Sequence, residues 1–265
     1  MPFMHEAAIQ RSIRLPTLAL LFVVLLGLCA PIAWTQQHDQ PSMPDMPGMD
    51  HGDMKPDIGP EDPAVVAKRL ADKRESEFNH HLAGFLVILA GIFIFAEDRL
   101  SKRWPLVRYA WAMCFLAAGV FLLVFSDTEI FPFGPQSFWY AITHNREDLQ
   151  HKIFAVILLA LGYVQFERTR GKFKAWWTAW FFPVVALAAA ILLTFHVHGG
   201  NMHAPHAMER MEHIQGEHRW FAVTGIAIGV TSGLAQTPQK WQQFFKKAWA
   251  ASLVILGVLL MLYTE

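Results

Sequence analysis

The chain reads as an all-α membrane protein, a polytopic bundle of six transmembrane helices behind an N-terminal signal or anchor. Three observations carry this. Of 265 residues, 54% are hydrophobic and only 17% charged, which is too apolar for an ordinary soluble domain. Six apolar runs follow residue 80, at 82–96, 109–125, 153–166, 175–195, 220–235 and 248–263. Most of the basic residues between them fall in alternate connections, as the positive-inside rule expects of a multi-pass protein.

Arg11 and Arg14 precede an apolar stretch from Leu18 to Ala30, the charged lead and core length of an export signal. Residues 1–35 are therefore read as an export signal or signal anchor. Residues 36–78 form an outer segment, Met/His-rich up to about residue 63 and without an apolar period to bury. In it Met43, Met46 and Met49 recur every third residue, followed by His51 and Met54. From Ala64 to Phe78 the charges keep a helix-compatible pattern that leads into the first span.

Residues 79–265 hold the membrane domain. Several of its apolar runs are shorter than the ~20 residues that cross the hydrocarbon, so the spans must borrow flanking residues. At the N-terminal ends of the first, third and fifth runs these are His80-His81, His151 and Glu217-His218. Imidazoles at a membrane edge are costly without a partner. The fifth run carries Gly225, Gly229 and Gly233, a flat face for close approach of a neighbour. Pro183 lies inside the fourth run, where it should kink the helix or free a carbonyl.

Arg99, Lys102, Arg103 and Arg108, then Arg168, Arg170, Lys172 and Lys174, then Lys240, Lys246 and Lys247 share a side with Arg11 and Arg14, which makes that side cytoplasmic. The outer side receives the tail, the connections 126–150 and 196–218, and every histidine of the 13 except His5. The hexamers opening with His151 and His218 match in type, and His81 precedes His151 by 70 residues as His151 precedes His218 by 67. This suggests three helical hairpins, each led by a histidine, His81, His151 and His218 converging at one depth.

The connection 196–218 is the densest ligand inventory, with His196, His198, His203, His206, His213 and His218 beside Met202, Met208 and Met211. Imidazole and thioether suit a soft or borderline metal, and Met-x-x-Met spacing suits Cu(I) above zinc or calcium. His196 and His198 point about 200° apart on a regular helix, so both reach one ion only where Gly199-Gly200 lets the chain unwind. His144 is a secondary candidate. The two cysteines, Cys29 and Cys114, lie in apolar runs and form no CxxC motif, leaving His, Met and carboxylate to hold any metal.

Zero formal charge, from 22 basic and 22 acidic residues, disfavours a nucleic-acid surface. No phosphate loop, nucleophile elbow or HExxH is present, so nothing points to an enzyme.

The Met/His head at Met43 to Met54 looks like the copper-binding stretches of bacterial periplasmic copper-resistance proteins. The body from about residue 80 to 263, with His81, His151, His196, His198 and His218 at outer helix ends, resembles the copper resistance protein D family of bacterial inner-membrane proteins, though with fewer spans than its members commonly have. The resemblance implies copper resistance or trafficking at the bacterial inner membrane, with copper as ligand and a periplasmic copper carrier as partner. The alternative is a single-haem membrane cytochrome of the b561 kind, two outer imidazoles holding haem b.

Overall fold

The structure, a computed structural model, describes residues 63–195, 207–238 and 240–264. Within these residues there are seven helices and no strand: α1 (Pro63–Leu100), α2 (Val107–Val124), α3 (Phe138–His144), α4 (Arg146–Thr169), α5 (Trp177–Leu193), α6 (Ala207–Gln236) and α7 (Gln242–Met261). The expected export signal, Met43, Met46, Met49, His51, Met54, His196, His198, Met202, His203 and His206 lie outside the described residues.

Each of the six apolar runs centres on one of the six longer helices. Among them α1, α2, α4 and α7 are long and apolar enough to cross a membrane. The expectation of six spans is met to that extent. At 17 residues α5 is apolar but shorter, with Pro183 buried inside a continuous helix. Small and hydroxyl residues dilute the apolar run of α6, among them Gly225, Gly229, Gly233, Thr224, Thr231 and Ser232.

The lead-in and the first run form one continuous helix, since nothing from Pro63 to Leu100 breaks the backbone ladder. Equally, α6 begins at Ala207, so Met208, Met211 and His213 sit on helix rather than in an outer loop. The outer connection 126–150 contains all of α3 and the first turn of α4. Ser137 caps α3 by accepting from the Tyr140 amide at 3.1 Å, and Asn145 caps α4 by accepting from the Glu147 amide at 2.9 Å. Glu147 and Asp148 then complement the helix dipole.

The six long helices close into a ring in chain order, α1, α2, α4, α5, α6, α7 and back to α1. The three heaviest seams lie between hairpins, α1 on α7, α2 on α4 and α5 on α6, and each is built on glycine. A Cβ on Gly84 would stand 2.6 Å from the Gly257 carbonyl oxygen, and one on Gly162 would stand 2.9 Å from the Ala112 oxygen. On α6, a Cβ at Gly225 would meet the Ala190 Cβ at 2.9 Å and one at Gly229 the Leu187 Cγ at 2.5 Å, so the glycine face expected of the fifth run receives α5.

Outward-facing positions are apolar on every helix of the ring, including Phe95, Val120, Val156, Ile191, Val223 and Ile255, all exposed. At the end opposite the histidines, Lys246 donates to Asp98 at 2.8 Å and ties α7 to the C-terminal end of α1.

Candidate functional site

The ring encloses a cavity of about 550 Å³ that all six long helices line. Its lower wall is apolar, with Val87, Phe115, Phe154, Phe182, Phe221 and Leu253 among the lining residues. Below it Trp111 and Trp249 meet edge to face at 5.4 Å between ring centroids, and Phe182 approaches both, at 5.8 and 5.1 Å. These rings interlock in the geometry aromatic quadrupoles prefer and close that end.

The upper end is polar and carries His80, His151 and His218 together with Asp72, Glu75, Asp127, Glu147 and Asp148. On α1 the cavity meets positions 80, 83 and 87; on α4, 151, 154 and 158; on α6, 218, 221 and 225. All three follow one spacing of three and then four residues, a single helical face. Each of the three helices thus turns one face to the cavity, and on α1 the histidine on that face is His80, not His81.

Two of these rings converge. His80 and His218 stand 5.9 Å apart between centroids, at 87° to one another. Tyr263 stacks on His80 at 3.9 Å and meets His218 edge-on at 5.9 Å. Each imidazole is pinned by its own helix: His80 Nδ1 lies 2.8 Å from the Ser76 carbonyl and His218 Nδ1 2.8 Å from the Ile214 carbonyl. A carbonyl only accepts, so Nδ1 carries the proton in each bond. In the neutral ring that makes Nε2 the acceptor nitrogen, the arrangement found where a backbone carbonyl orients a metal-binding histidine. His151 reaches the same cavity from α4, across the ring from α7.

His81 turns the other way, its Nε2 at 3.1 Å from the Tyr263 carbonyl. His80 and His81 flank the Gly84, Ile88 and Gly91 stripe that packs on α7 about equally, so that stripe alone does not tell which of the two adjacent histidines faces the cavity.

Around the rim, polar bonds tie the α1 lead-in to the outer connection. Asn79 Nδ2 donates to the Ser126 carbonyl at 2.7 Å, the Thr128 hydroxyl donates to Glu75 at 2.8 Å, and Lys68 pairs with Glu129 at 2.8 Å. Burial raises the Asp72 carboxyl, ahead of the apolar run of α1, above its ordinary range, with Lys68 opposing the shift. Lys152, next to His151, is buried and donates to Asp127, to the Ser126 hydroxyl at 3.2 Å and to the Leu122 carbonyl at 3.3 Å. Sequence reading missed this pair, because a lysine at a helix start reads as solvated until α2 is packed against it. Removing one partner of such a buried pair strands the other charge. Lys152→Met is expected to lower stability by about 3 kcal/mol, and adding Asp127→Asn should recover most of it, checked by thermal unfolding of the detergent-solubilised protein.

The remaining expected ligands stand apart. His144 is exposed on α3, stacked on Tyr140 at 4.2 Å. His213 lies 3.7 Å from the Glu217 carboxylate and 3.5 Å from the Thr264 hydroxyl. Met208 is exposed and Met211 half-buried, both on the outer extension of α6. Among the described residues no three His, Cys, Asp or Glu side chains are grouped to hold one metal ion. Compared with family models, with curated proteins and with solved structures, the chain matches none.

Proposed function

We propose that the chain is a copper-binding protein of the bacterial inner membrane, serving copper resistance or trafficking from the periplasmic side. The observation that carries this is the convergence of His80 and His218, both rings held so that Nε2 is the acceptor nitrogen. An imidazole nitrogen binds a first-row metal at about 2 Å, so two rings on one ion have centroids roughly 5 to 6 Å apart, the wider end for near-linear coordination. The observed 5.9 Å lies at the wide end of that range.

Two imidazoles from the described helices leave coordination positions for His151 and for the outer segment, whose His196, His198, Met202, His203 and His206 supply the right donors. Met208, Met211 and His213 on α6, and the tail with Met43, Met46, Met49, His51 and Met54, serve as capture ligands. The thioether share of this set selects copper over zinc. Apolar outer faces on all six long helices suit six spans, since a soluble monomer rarely exposes so much contiguous apolar surface. The basic connections at the ring's other end orient the histidines outward. The apolar lower cavity and its aromatic floor offer an ion no replacement for water, which costs several kcal/mol and favours capture and hand-over to a periplasmic carrier above conduction along the ring axis.

A second reading, a single b-type haem between outer imidazoles, draws on the same apolar cavity beneath the histidines. Elemental analysis of the detergent-purified full chain, with copper and iron read on one sample, separates the two. About one copper per chain is the expected result. Iron without copper turns the assignment to haem, and neither metal after incubation with Cu(I) or Cu(II) overturns both.

A further inference from the structure

The proposed metal site uses only the rim of the cavity, and the chamber below needs an occupant of different chemistry. The cavity as a whole, rim included, measures about 550 Å³, in the range of small-molecule sites. Its size comes from small residues: Ala118 on α2, with Ala186 and Ala189 on α5, line a wall that larger side chains would have filled. Four phenylalanines, Phe115, Phe154, Phe182 and Phe221, line it from four different helices, which suits a flat aromatic ring. The aromatic floor closes its lower end. Of the six seams of the ring, the one between α4 and α5 is the lightest, and both helices line the chamber there, which makes it the side where the ring would part most easily.

The rim states what the head of that molecule carries. With Nδ1–H donated to Ser76 and Ile214 carbonyls, His80 and His218 present acceptor nitrogens and so match a hydroxyl donor rather than a carbonyl. We propose that the chamber binds a hydroquinone of the membrane, its ring among the phenylalanines and one hydroxyl toward His80 and His218. The head would use the same His80 and His218 nitrogens as the proposed copper site, so metal and quinol compete there and chelator-treated protein is the proper sample. Quinol binding to that sample and copper content of the untreated protein are read separately, so failure of one assignment is told apart from failure of the other.

The test is native mass spectrometry of the chelator-treated full chain released from detergent micelles, with decylubiquinol as probe under anaerobic conditions. One decylubiquinol per chain is expected. The oxidised form, decylubiquinone, lacks the hydroxyls and should be retained about tenfold less, the effect of one unmatched hydrogen bond. Ala189→Phe fills the chamber and should likewise cut retention about tenfold or more; Ala118→Leu, on another helix, serves if the first variant does not fold. Equal retention of quinol and quinone, equal retention by wild type and a folded filled variant, or a haem Soret band from the untreated protein would each overturn the proposal.

Discussion

Replacing His80 and His218 together with alanine is expected to lower copper affinity by at least about 100-fold, leaving the purified protein without stoichiometric metal. The magnitude follows from the loss of two ligands, since even outer hydrogen-bonding partners of ligands are worth 10- to 100-fold. His81→Ala is the matched control. It removes a bond to the Tyr263 carbonyl on the α7 seam and should cost about 1 kcal/mol of stability while leaving copper in place. The pairing matters because His80 and His81 are adjacent in sequence and only one of them lines the cavity. Retention of copper by a double variant that elutes as wild type would sink the site, and loss of copper in His81→Ala would move it to the α7 seam.

The largest structural effect is expected at Gly257. A Cβ there would stand 2.6 Å from the Gly84 carbonyl oxygen and 2.8 Å from the Ile88 nitrogen, both backbone atoms that cannot yield without moving the helix. Gly257→Leu should therefore push α7 away from α1 at a cost of about 3 kcal/mol or more. Because α7 leads into Tyr263, which stacks on His80, the same change should displace the ring that backs the histidine pair. Thermal unfolding in detergent reads the first effect, and copper content the second. Gly216→Ala on the outer extension of α6 is the contrast. Nothing lies within 4 Å of its added Cβ, and the helix should gain roughly 0.5–1 kcal/mol. A Gly257→Leu protein as stable as wild type would show that the α1–α7 seam tolerates a wider spacing than the glycines indicate.

Much of the architecture was legible in the chain. Apolar runs of helical length announce helices because backbone groups in an apolar setting must be satisfied within the segment. The flat face of Gly225, Gly229 and Gly233 announced a close neighbour, and α5 occupies it. The sorting of histidines and basic residues into opposite connections placed the candidate site at one end. The helical lead-in of α1 was legible in the charge pattern from Ala64 to Phe78, whereas extension of α6 back to Ala207 was less evident, because a stretch rich in His and Glu carries little apolar stripe to reveal a helix. The Lys152–Asp127 pair was hidden for a related reason: its partners are 25 residues apart and meet only when α2 and α4 pack.

By itself the sequence determined the expectation of a six-span helical bundle whose imidazoles gather beyond one end of the apolar runs; among the described residues all seven elements are helices, four of them long and apolar enough to cross a membrane. Tertiary structure alone decided that the six long helices close into a ring around a chamber, and that His80 rather than His81 faces it. The physical reason is rotational. Periodicity sets successive side chains about 100° apart on a helix, but not how that helix is turned about its own axis. On α1 the turn is fixed from two sides: Gly84 and Gly91 face α7, while Ala83 and Val87, about 20 to 60° from His80 around the helix, line the cavity, which places His80 rather than His81 at its wall.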